Sequence, residues 1–578
     1  MTMRLLPEPK KLRRLGGVLV LKRPDGTGQV RRDIVPAGPP EGYELTIDRS
    51  GVRLIGHDAA GLFYGQQTFR QLLRQYGRRL PCLRIEDAPA FRHRGYSLDI
   101  SRGRVPKLAT IKTLVDRLAA LKMNQLQLYI EHVFDFGFDP AIGAGADPLT
   151  AKEIRELDRF CLDRHVELAP SLACFGHMGR ILSLPRYRAL AEVEWPFRDW
   201  ESAPWRARLR GATLNPRLEA GRRLLRNMLD EYLPLFSSER FNMCGDETYD
   251  LGRGANAAFV RRRGLAALYL EHLRFVRRVA REHGKRLMFW GDVMQQHPEG
   301  IPGIPADCIA LDWGYSWHTD FEKARQFIEA GLETYVCPST RGYKVVFNEV
   351  EEARANIAGY ARTGFRLGAA GLLVTDWGDM GHFNLPACSF HGLALGAAMG
   401  WNPRGDGGRG FDRAFSLQAL GDPSGRAAGL FVKAGTTRLA EWPLLIREPG
   451  GESRPAATLQ RAIRLAPACR NWSRRFAALR PTDWLRETDI EELAIAGEAL
   501  YLNARRIILE QGLAGARGKP AFLRRRIAVF IRELEAFFRR YAKGWKRTSR
   551  PAGLKDLARA FGQVSRQWRR LAEKARDS

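Results

Sequence analysis

Residues 240–246 read RFNMCGD and residues 286–292 read RLMFWGD. Each is a short, mostly apolar run opened by arginine and closed by a Gly-Asp pair. A run of this length without helical spacing, ending sharply in polar residues, predicts a strand buried on both faces. Six further runs share the pattern: YSLDIS (96–101), QLQLYIE (125–131), ELAPSLA (167–173), CIALDWG (308–314), ETYVCPS (333–339) and GLLVTDWG (371–378). Amphipathic helical text separates most of them, as in TIKTLVDRLAALKM (110–123) and EVEEARANIAGYARTG (349–364). Only between the fifth and sixth runs is the helical text weak. Eight buried strands alternating with helices predict an α/β protein built on a (β/α)8 TIM barrel rather than an open sheet.

The text on either side differs. Upstream, YELTI (43–47), the turn DRSG and VRLI (52–55) predict a hairpin, and Asp58 is placed to cap a helix over 59–76. EDAPAF (86–91) reads as a linker. After about residue 405 the sequence turns to long helical patterns, with Trp484, Trp545 and Trp568 expected in packing rather than at a ligand. The expected organisation is a small α/β domain over 1–90, a barrel over 91–404 and a C-terminal α-helical domain over 405–578.

Composition narrows the class. Of 578 residues, 45% are hydrophobic, which excludes a disordered chain, and 93 Lys and Arg against 64 Asp and Glu give a net charge of +29. These charges are spread along the chain, so solvated helix faces account for most of them. The eight cysteines form no CxxC pair, so buried thiols in a reducing compartment are expected. The basic N-terminus breaks its apolar run too early for a signal-peptide core, and no stretch approaches the ~20 apolar residues of a membrane span. A cytoplasmic location without membrane contact is the resulting expectation.

In a barrel of this type the chemistry collects where strands end, because the following loops converge there. The residues at those ends are Arg102, Glu131, Gly176-His177, Asp246-Glu247, Trp290 and Asp292, Asp312-Trp313, Tyr343, and Asp376-Trp377 with Asp379. Carboxylates that accept hydroxyl hydrogen bonds and move protons, beside flat indoles that cover pyranose faces, form a mouth suited to a sugar. No phosphate-cradling glycine loop and no HExxH spacing competes, so no metal or other cofactor is expected.

At these positions the chain resembles family 20 glycoside hydrolases, the β-N-acetylhexosaminidases, over roughly residues 40–400. EGYELTIDRSGVRLIGHDAAGLFYGQQTFRQLL resembles the family's non-catalytic α/β domain, RGYSLDISRGRVP its first barrel strand, LAPSLACFGHMG its third-strand Gly-His segment, and MCGDE its catalytic Asp-Glu signature. FWGDVM and TDWGDMGHF are similar to the fifth- and eighth-strand segments, and the wording resembles a bacterial branch.

The resemblance implies an exo-acting, retaining glycosidase that removes terminal β-linked GlcNAc or GalNAc. The sugar's own acetamido oxygen attacks the anomeric carbon, giving an oxazolinium intermediate. Glu247 would be the acid and then the base, and Asp246 would hold the acetamido N–H. The adjacent charges are expected to push the two carboxyls apart in acidity, with Glu247 protonated. Arg102 and Asp379 would hold ring hydroxyls, and Trp290, Trp313 and Trp377 would wall the pocket. Tyr343, with Tyr315 as the alternative, would bind the acetamido carbonyl. Glu131 and His177 would support the acid pair from behind.

The expected partner is an N-acetylhexosamine-containing oligosaccharide or glycoconjugate. The alternative is a basic, non-catalytic glycan- or nucleic-acid-binding protein on such a barrel. It rests on the net charge and on clusters such as Arg261-Arg262-Arg263 and Arg524-Arg525-Arg526. Nucleic acid is the less favoured partner, because both clusters fall in helical text.

Overall fold

The N-terminal strands are β1 (Lys11–Val20), β2 (Val30–Ile34), β3 (Tyr43–Asp48), β4 (Gly51–Gly56) and β5 (Arg79–Asp87), joined in the order β1-β5-β3-β4-β2. They belong to a computed structural model that describes residues 2–200, 202–204, 207, 208, 212–449, 455–514 and 520–574. The β3–β4 hairpin turns on Asp48, whose Oδ1 accepts the Ser50 N–H at 2.7 Å. Helix α1 (Ala59–Tyr76) starts where Asp58 accepts the Gly61 N–H, and it packs on one face of the sheet.

The hairpin and helix follow the sequence closely. Strands β1, β2 and β5 carried no recognised signal. β1 is a largely exposed edge strand whose register slips between Arg14 and Val18, so its apolar residues never alternate cleanly.

The eight central runs form β6 (His93–Asp99), β7 (Gln125–Ile130), β8 (Glu167–Leu172), β9 (Arg240–Asn242), β10 (Arg286–Trp290), β11 (Ile309–Trp313), β12 (Glu333–Cys337) and β13 (Gly371–Asp376). They close into a parallel barrel in chain order, with β13 pairing back to β6. Helices α2 (Leu108–Ala120), α3 (Ala151–Leu162), α4 (Glu219–Tyr232), α5 (Leu265–Glu282), α6 (Val350–Leu367) and α7 (Phe390–Trp401) form the outer layer. Between β10 and β11 there is only the short helix Asp292–Gln296 and a 3-10 turn, as the weak helical text there suggests.

β6 begins three residues earlier than expected. Arg94 hides inside it, donating to the Lys122 and Phe91 carbonyls at 2.8 Å each and pairing with Glu41 at 2.7 Å. A buried arginine whose charge is paired can occupy a strand that its polar sequence disguises. The strand ends where the Asp99 carboxylate accepts the Ser101 N–H at 2.9 Å.

Beyond the barrel the described chain is helical: α8 (Arg409–Gln418), α9 (Ala428–Gly435), α10 (Ala456–Ala477), α11 (Glu487–Ala514), α12 (Pro520–Thr548) and α13 (Leu554–Lys574). One continuous apolar core runs from barrel helices into these, joining Leu118 and Val350 to Phe476 and Trp545. Trp484, Trp545 and Trp568 are all buried in it. Among the described residues no helix is long and apolar enough to cross a membrane, and all eight cysteines are free and buried.

The segment after α12 is fastened to the barrel mouth. Thr548 O accepts from the Lys107 N–H at 3.0 Å, and the Arg550 N–H donates to Val105 O at 2.8 Å. Arg104 reaches from the loop after β6 to the Tyr541 hydroxyl at 3.1 Å, its guanidinium lying 3.8 Å from the Trp545 ring. Replacing Trp545 by Ala should therefore cost about 3–5 kcal/mol of stability in a denaturant titration, because it leaves a cavity and frees this clasp. A loss within about 0.5 kcal/mol of zero would show the clasp to be superficial.

Candidate active site

The functional candidates all lie at or just past the C-terminal ends of barrel strands, and the turn after β9 shows how the backbone aims them. Cys244, Gly245 and Glu247 have φ of 61°, 82° and 48°, three left-handed residues in a four-residue span. For a non-glycine residue this costs about 1–3 kcal/mol and persists only where surroundings over-determine it. They do so here. Tyr269 of α5 donates to Gly245 O at 3.0 Å, and the Glu247 N–H donates to Asp292 Oδ2 at 3.0 Å. A Cβ on Gly245 would stand 2.8 Å from the Tyr269 oxygen, so the residue must be glycine twice over. On the facing loop after β8, Gly176 lets its backbone pass so close that a Cβ would lie 2.3 Å from Asp246 O.

That close approach delivers His177. Its Nε2 lies 3.4 Å from Asp246 Oδ2 and 3.4 Å from Glu247 Oε2, an ion-pair distance to both. Burial alone would push the imidazole down, but the two carboxylates, Asp246 foremost, hold it up at about 10. Burial likewise opposes ionisation of Glu247, yet His177 brings its carboxyl down to about 2. This corrects the expectation that Asp246 would keep Glu247 protonated. The sequence showed two like charges side by side; the fold inserts a cation between them.

Arg102 forms a second charged cluster. It sits 3.1 Å from Asp99, 3.3 Å from Glu131 and 3.4 Å from Asp379, with its guanidinium over the Tyr129 and Trp377 rings at 5.0 and 5.3 Å. Burial opposes its charge, but the surrounding carboxylates raise its pKa further still. Glu131 belongs to this cluster, pairing with Arg102 and accepting from the Tyr129 hydroxyl at 2.9 Å, and it also feels the charge of His177. Burial raises the pKa of both Glu131 and Asp379, partly offset by Arg102.

The aromatic candidates meet as one wall. Trp290 and Trp377 lie 6.0 Å apart, and Trp313 stacks on Tyr315 at 4.9 Å. The Trp377 indole N–H donates to the Tyr315 hydroxyl at 2.7 Å. Tyr343 stands beside Tyr315, ring centres 6.1 Å apart, with its hydroxyl engaged by Arg341.

Two residues matter more than their sequence positions suggested. Asp292 joins the Glu247 backbone to the Trp313 indole, whose N–H it accepts at 3.3 Å; burial and then the Asp246 charge push its pKa up. Asp99 holds Arg102 and accepts the Gly378 N–H at 2.9 Å. An acid inside an apolar strand run was the available signal for it. Among the described residues no group of three or more His, Cys, Asp or Glu could hold a metal ion.

Comparison with known proteins places this arrangement. The family model "Glycosyl hydrolase family 20, domain 2" matches residues 10–88, and "Glycosyl hydrolase family 20, catalytic domain" matches 91–137 and 142–379. A beta-hexosaminidase of Porphyromonas gingivalis is 26% identical over 308 residues, covering 47% of this chain and 38% of the relative. One of Vibrio furnissii is 26% identical over 308 residues, covering 47% and 48%. The chain thus spans less than half the length of these curated relatives. Among solved structures, a Flavobacterium johnsoniae chitobiase superposes with a TM-score of 0.58 at 16% identity, covering 99% of this chain and 93% of that one. A Vibrio harveyi exo β-N-acetylglucosaminidase in complex with N-acetylglucosamine does so with a TM-score of 0.56 at 18% identity, covering 70% and 74%. At these identities the likeness speaks for the fold.

The His177 bridge has a pH signature. A group whose folded pKa is raised contributes stability that is complete below its ordinary value and is lost as pH rises through the folded one. The stability difference between the protein and a His177→Gln variant should therefore shrink between about pH 6.5 and pH 10. Denaturant midpoints measured across that window check this, and a difference independent of pH would mean that His177 is held neutral.

Proposed function

Because the chain belongs to glycoside hydrolase family 20, we propose that it is an exo-acting, retaining β-N-acetylhexosaminidase. It would release terminal β-linked GlcNAc or GalNAc from oligosaccharides or glycoconjugates by substrate-assisted catalysis. The observation that carries this reading is the buried His177 shared by Asp246 and Glu247 beside a wall of three tryptophans.

In the proposed reaction the acetamido carbonyl oxygen attacks C1 while the glycosidic oxygen takes a proton from Glu247. The C1–O bond breaks and a cyclic oxazolinium forms. Asp246 accepts the acetamido N–H and offsets the developing positive charge. Water then attacks C1 and gives its proton to Glu247 as the C1 bond to the acetamido oxygen breaks, and the two displacements at C1 leave the configuration retained.

With Glu247 ionised at rest, it needs a proton before the first step. Solvent supplies it at the partly exposed Glu247 side chain, while His177, which holds its own proton far more tightly, acts as a brace. Arg102 and Asp379 hold ring hydroxyls. Trp290, Trp313 and Trp377 exclude water around the acetamido group, which favours internal attack over stray hydrolysis. Tyr343 is the proposed ligand of the acetamido carbonyl, with Tyr315 as the alternative: each hydroxyl oxygen accepts an N–H, from Arg341 and Trp377 respectively, which leaves its own proton for the carbonyl.

For the division into 1–90, 91–404 and 405–578, the gap between the last N-terminal strand at Asp87 and the first barrel strand at His93 supports the first boundary, and the purely helical elements after residue 405 support the second. A reducing, cytoplasmic setting is supported by eight free thiols.

The test uses 4-nitrophenyl glycosides. The β-GlcNAc or β-GalNAc form should be cleaved and the β-glucoside, which lacks the acetamido group, should not. Glu247→Gln should lower kcat by ~10²–10⁴ if it is the acid. Equal turnover of glucoside and N-acetylglucosaminide would overturn participation of the acetamido group, and undiminished turnover in the variant would remove Glu247 from the reaction.

A further inference from the structure

A strongly charged surface that the proposed reaction leaves unused runs along α5. Residues 257–285 hold seven arginines and one lysine against two glutamates. Arg274, Arg277, Arg278 and Arg281 recur at helical spacing, so they share one face of the helix. They line an open groove of about 1290 Å³, bounded by Arg222 of α4 and by Arg263 of the short helix Ala257–Arg263. With 18 residues, α5 gives the groove a floor about 27 Å long.

The acids near the groove already have partners. Glu271 pairs with Arg222 at 2.8 Å, Glu282 with Arg226 at 2.6 Å and Asp307 with Arg277 at 2.7 Å. Among the described residues, Arg263, Arg274, Arg278 and Arg281 have no carboxylate within ion-pair distance. Arg274 donates only to Gly303 O, at 2.8 Å, which leaves its charge uncompensated. Like charges three and four residues apart on a helix repel, so this face is costly until an anion covers it. A merely solvated face is convex and mixed in sign. This one is concave and of a single sign, the geometry that concentrates a field.

The groove adjoins the candidate site. Leu265, the first residue of α5, lines the cavity of about 430 Å³ that Glu247, Tyr249 and Asp292 also line, and Arg253 and Lys323 add positive charge there. An acid that protonates a leaving oxygen must face the leaving group, so this cavity is the departing side. Positive charge thus continues from the departing side past Arg263 and along α5. The rings in the groove are covered: the Arg217 guanidinium lies 4.6 Å from the Phe259 ring and that of Arg222 5.6 Å from Phe275. Covered rings give bases nothing to stack on, which disfavours single-stranded nucleic acid. Guanidinium forks suit carboxylates.

We propose that this groove docks the departing chain of a carboxylate-bearing glycan whose terminal residue is the N-acetylhexosamine cleaved in the barrel. This rests on the glycosidase reading above. The arginines touch no reacting atom; they hold the chain and raise its concentration at the mouth.

The experiment compares two heptasaccharides with the same terminal bond, using the full chain. One is chitoheptaose, which is neutral. The other is a hyaluronan heptasaccharide ending in β-linked GlcNAc, with a glucuronate at every second sugar. At about 20 mM salt the acidic chain should show the higher kcat/KM by about tenfold, and the advantage should vanish near 0.5 M salt. Replacing Arg263→Gln, Arg278→Gln and Arg281→Gln together should lower kcat/KM for the acidic chain by about tenfold, chiefly through KM, and for chitoheptaose by less than about twofold. Chitoheptaose turnover reports folding in the same variant, and the single variant Arg278→Glu should shift the acidic chain in the same direction. Equal use of both chains with one salt dependence would overturn the docking groove alone, as would an acidic preference undiminished in the variants. Stronger inhibition by a single-stranded oligonucleotide than by a hyaluronan chain ending in glucuronate would assign the groove to nucleic acid and overturn the proposal. Cleavage of neither heptasaccharide would overturn the glycosidase reading and the docking role with it.

Discussion

Two carboxylates on adjacent residues, both turned into a barrel mouth, repel one another unless something intervenes. At His177 the intervening group is an imidazolium at the same distance from each. Unit charges about 4 Å apart interact by about 4 kcal/mol at an effective dielectric of 20, so two attractions outweigh one repulsion even after burial of the ring. Much of the local backbone serves this contact. Gly176 permits the loop crossing, Gly245 permits the turn, and Asp292 pins the Glu247 amide in its left-handed conformation. Fixed charges and dipoles arranged before any sugar arrives need little reorganisation during reaction.

The Arg102 cluster follows the same logic with the signs exchanged: one guanidinium among Asp99, Glu131 and Asp379. Breaking such a buried group by removing one member is far costlier than never having built it, so each member is locked in by the others. Between the two clusters stand the indoles, tied by hydrogen bonds from Trp377 to Tyr315 and from Trp313 to Asp292. Charge sets the two poles of the mouth and aromatic surface joins them.

Much of this was legible beforehand because barrel strands are short, buried and punctuated. All eight were recognisable, and inspecting their ends led directly to Arg102, Asp246, Glu247, the three tryptophans and Asp379. What escaped depends on distances between segments far apart in the chain. Arg94 lengthened β6 because Glu41 and two carbonyls partner its charge. The exposed, bulged β1 lacked the alternation that betrays a strand. The acidity of Glu247 took the opposite sign from that expected, since adjacency in sequence exposes the repulsion of Asp246 but hides the attraction of His177. Glu131 likewise belongs to Arg102, a pairing fixed by the packing of β7 beside β6.

The clasp at Arg104 carries a consequence for how the molecule comes into being. Its partners Tyr541 and Ser549 lie 437 and 445 residues downstream. A ribosome adding about 5–20 residues per second needs roughly twenty to ninety seconds to supply them. Through that interval the nascent barrel mouth must stand open, with a cationic side chain and the apolar surface awaiting Trp545 still uncovered. A chain halted before α12 would keep that surface bare, so only the last helices to be made cover it.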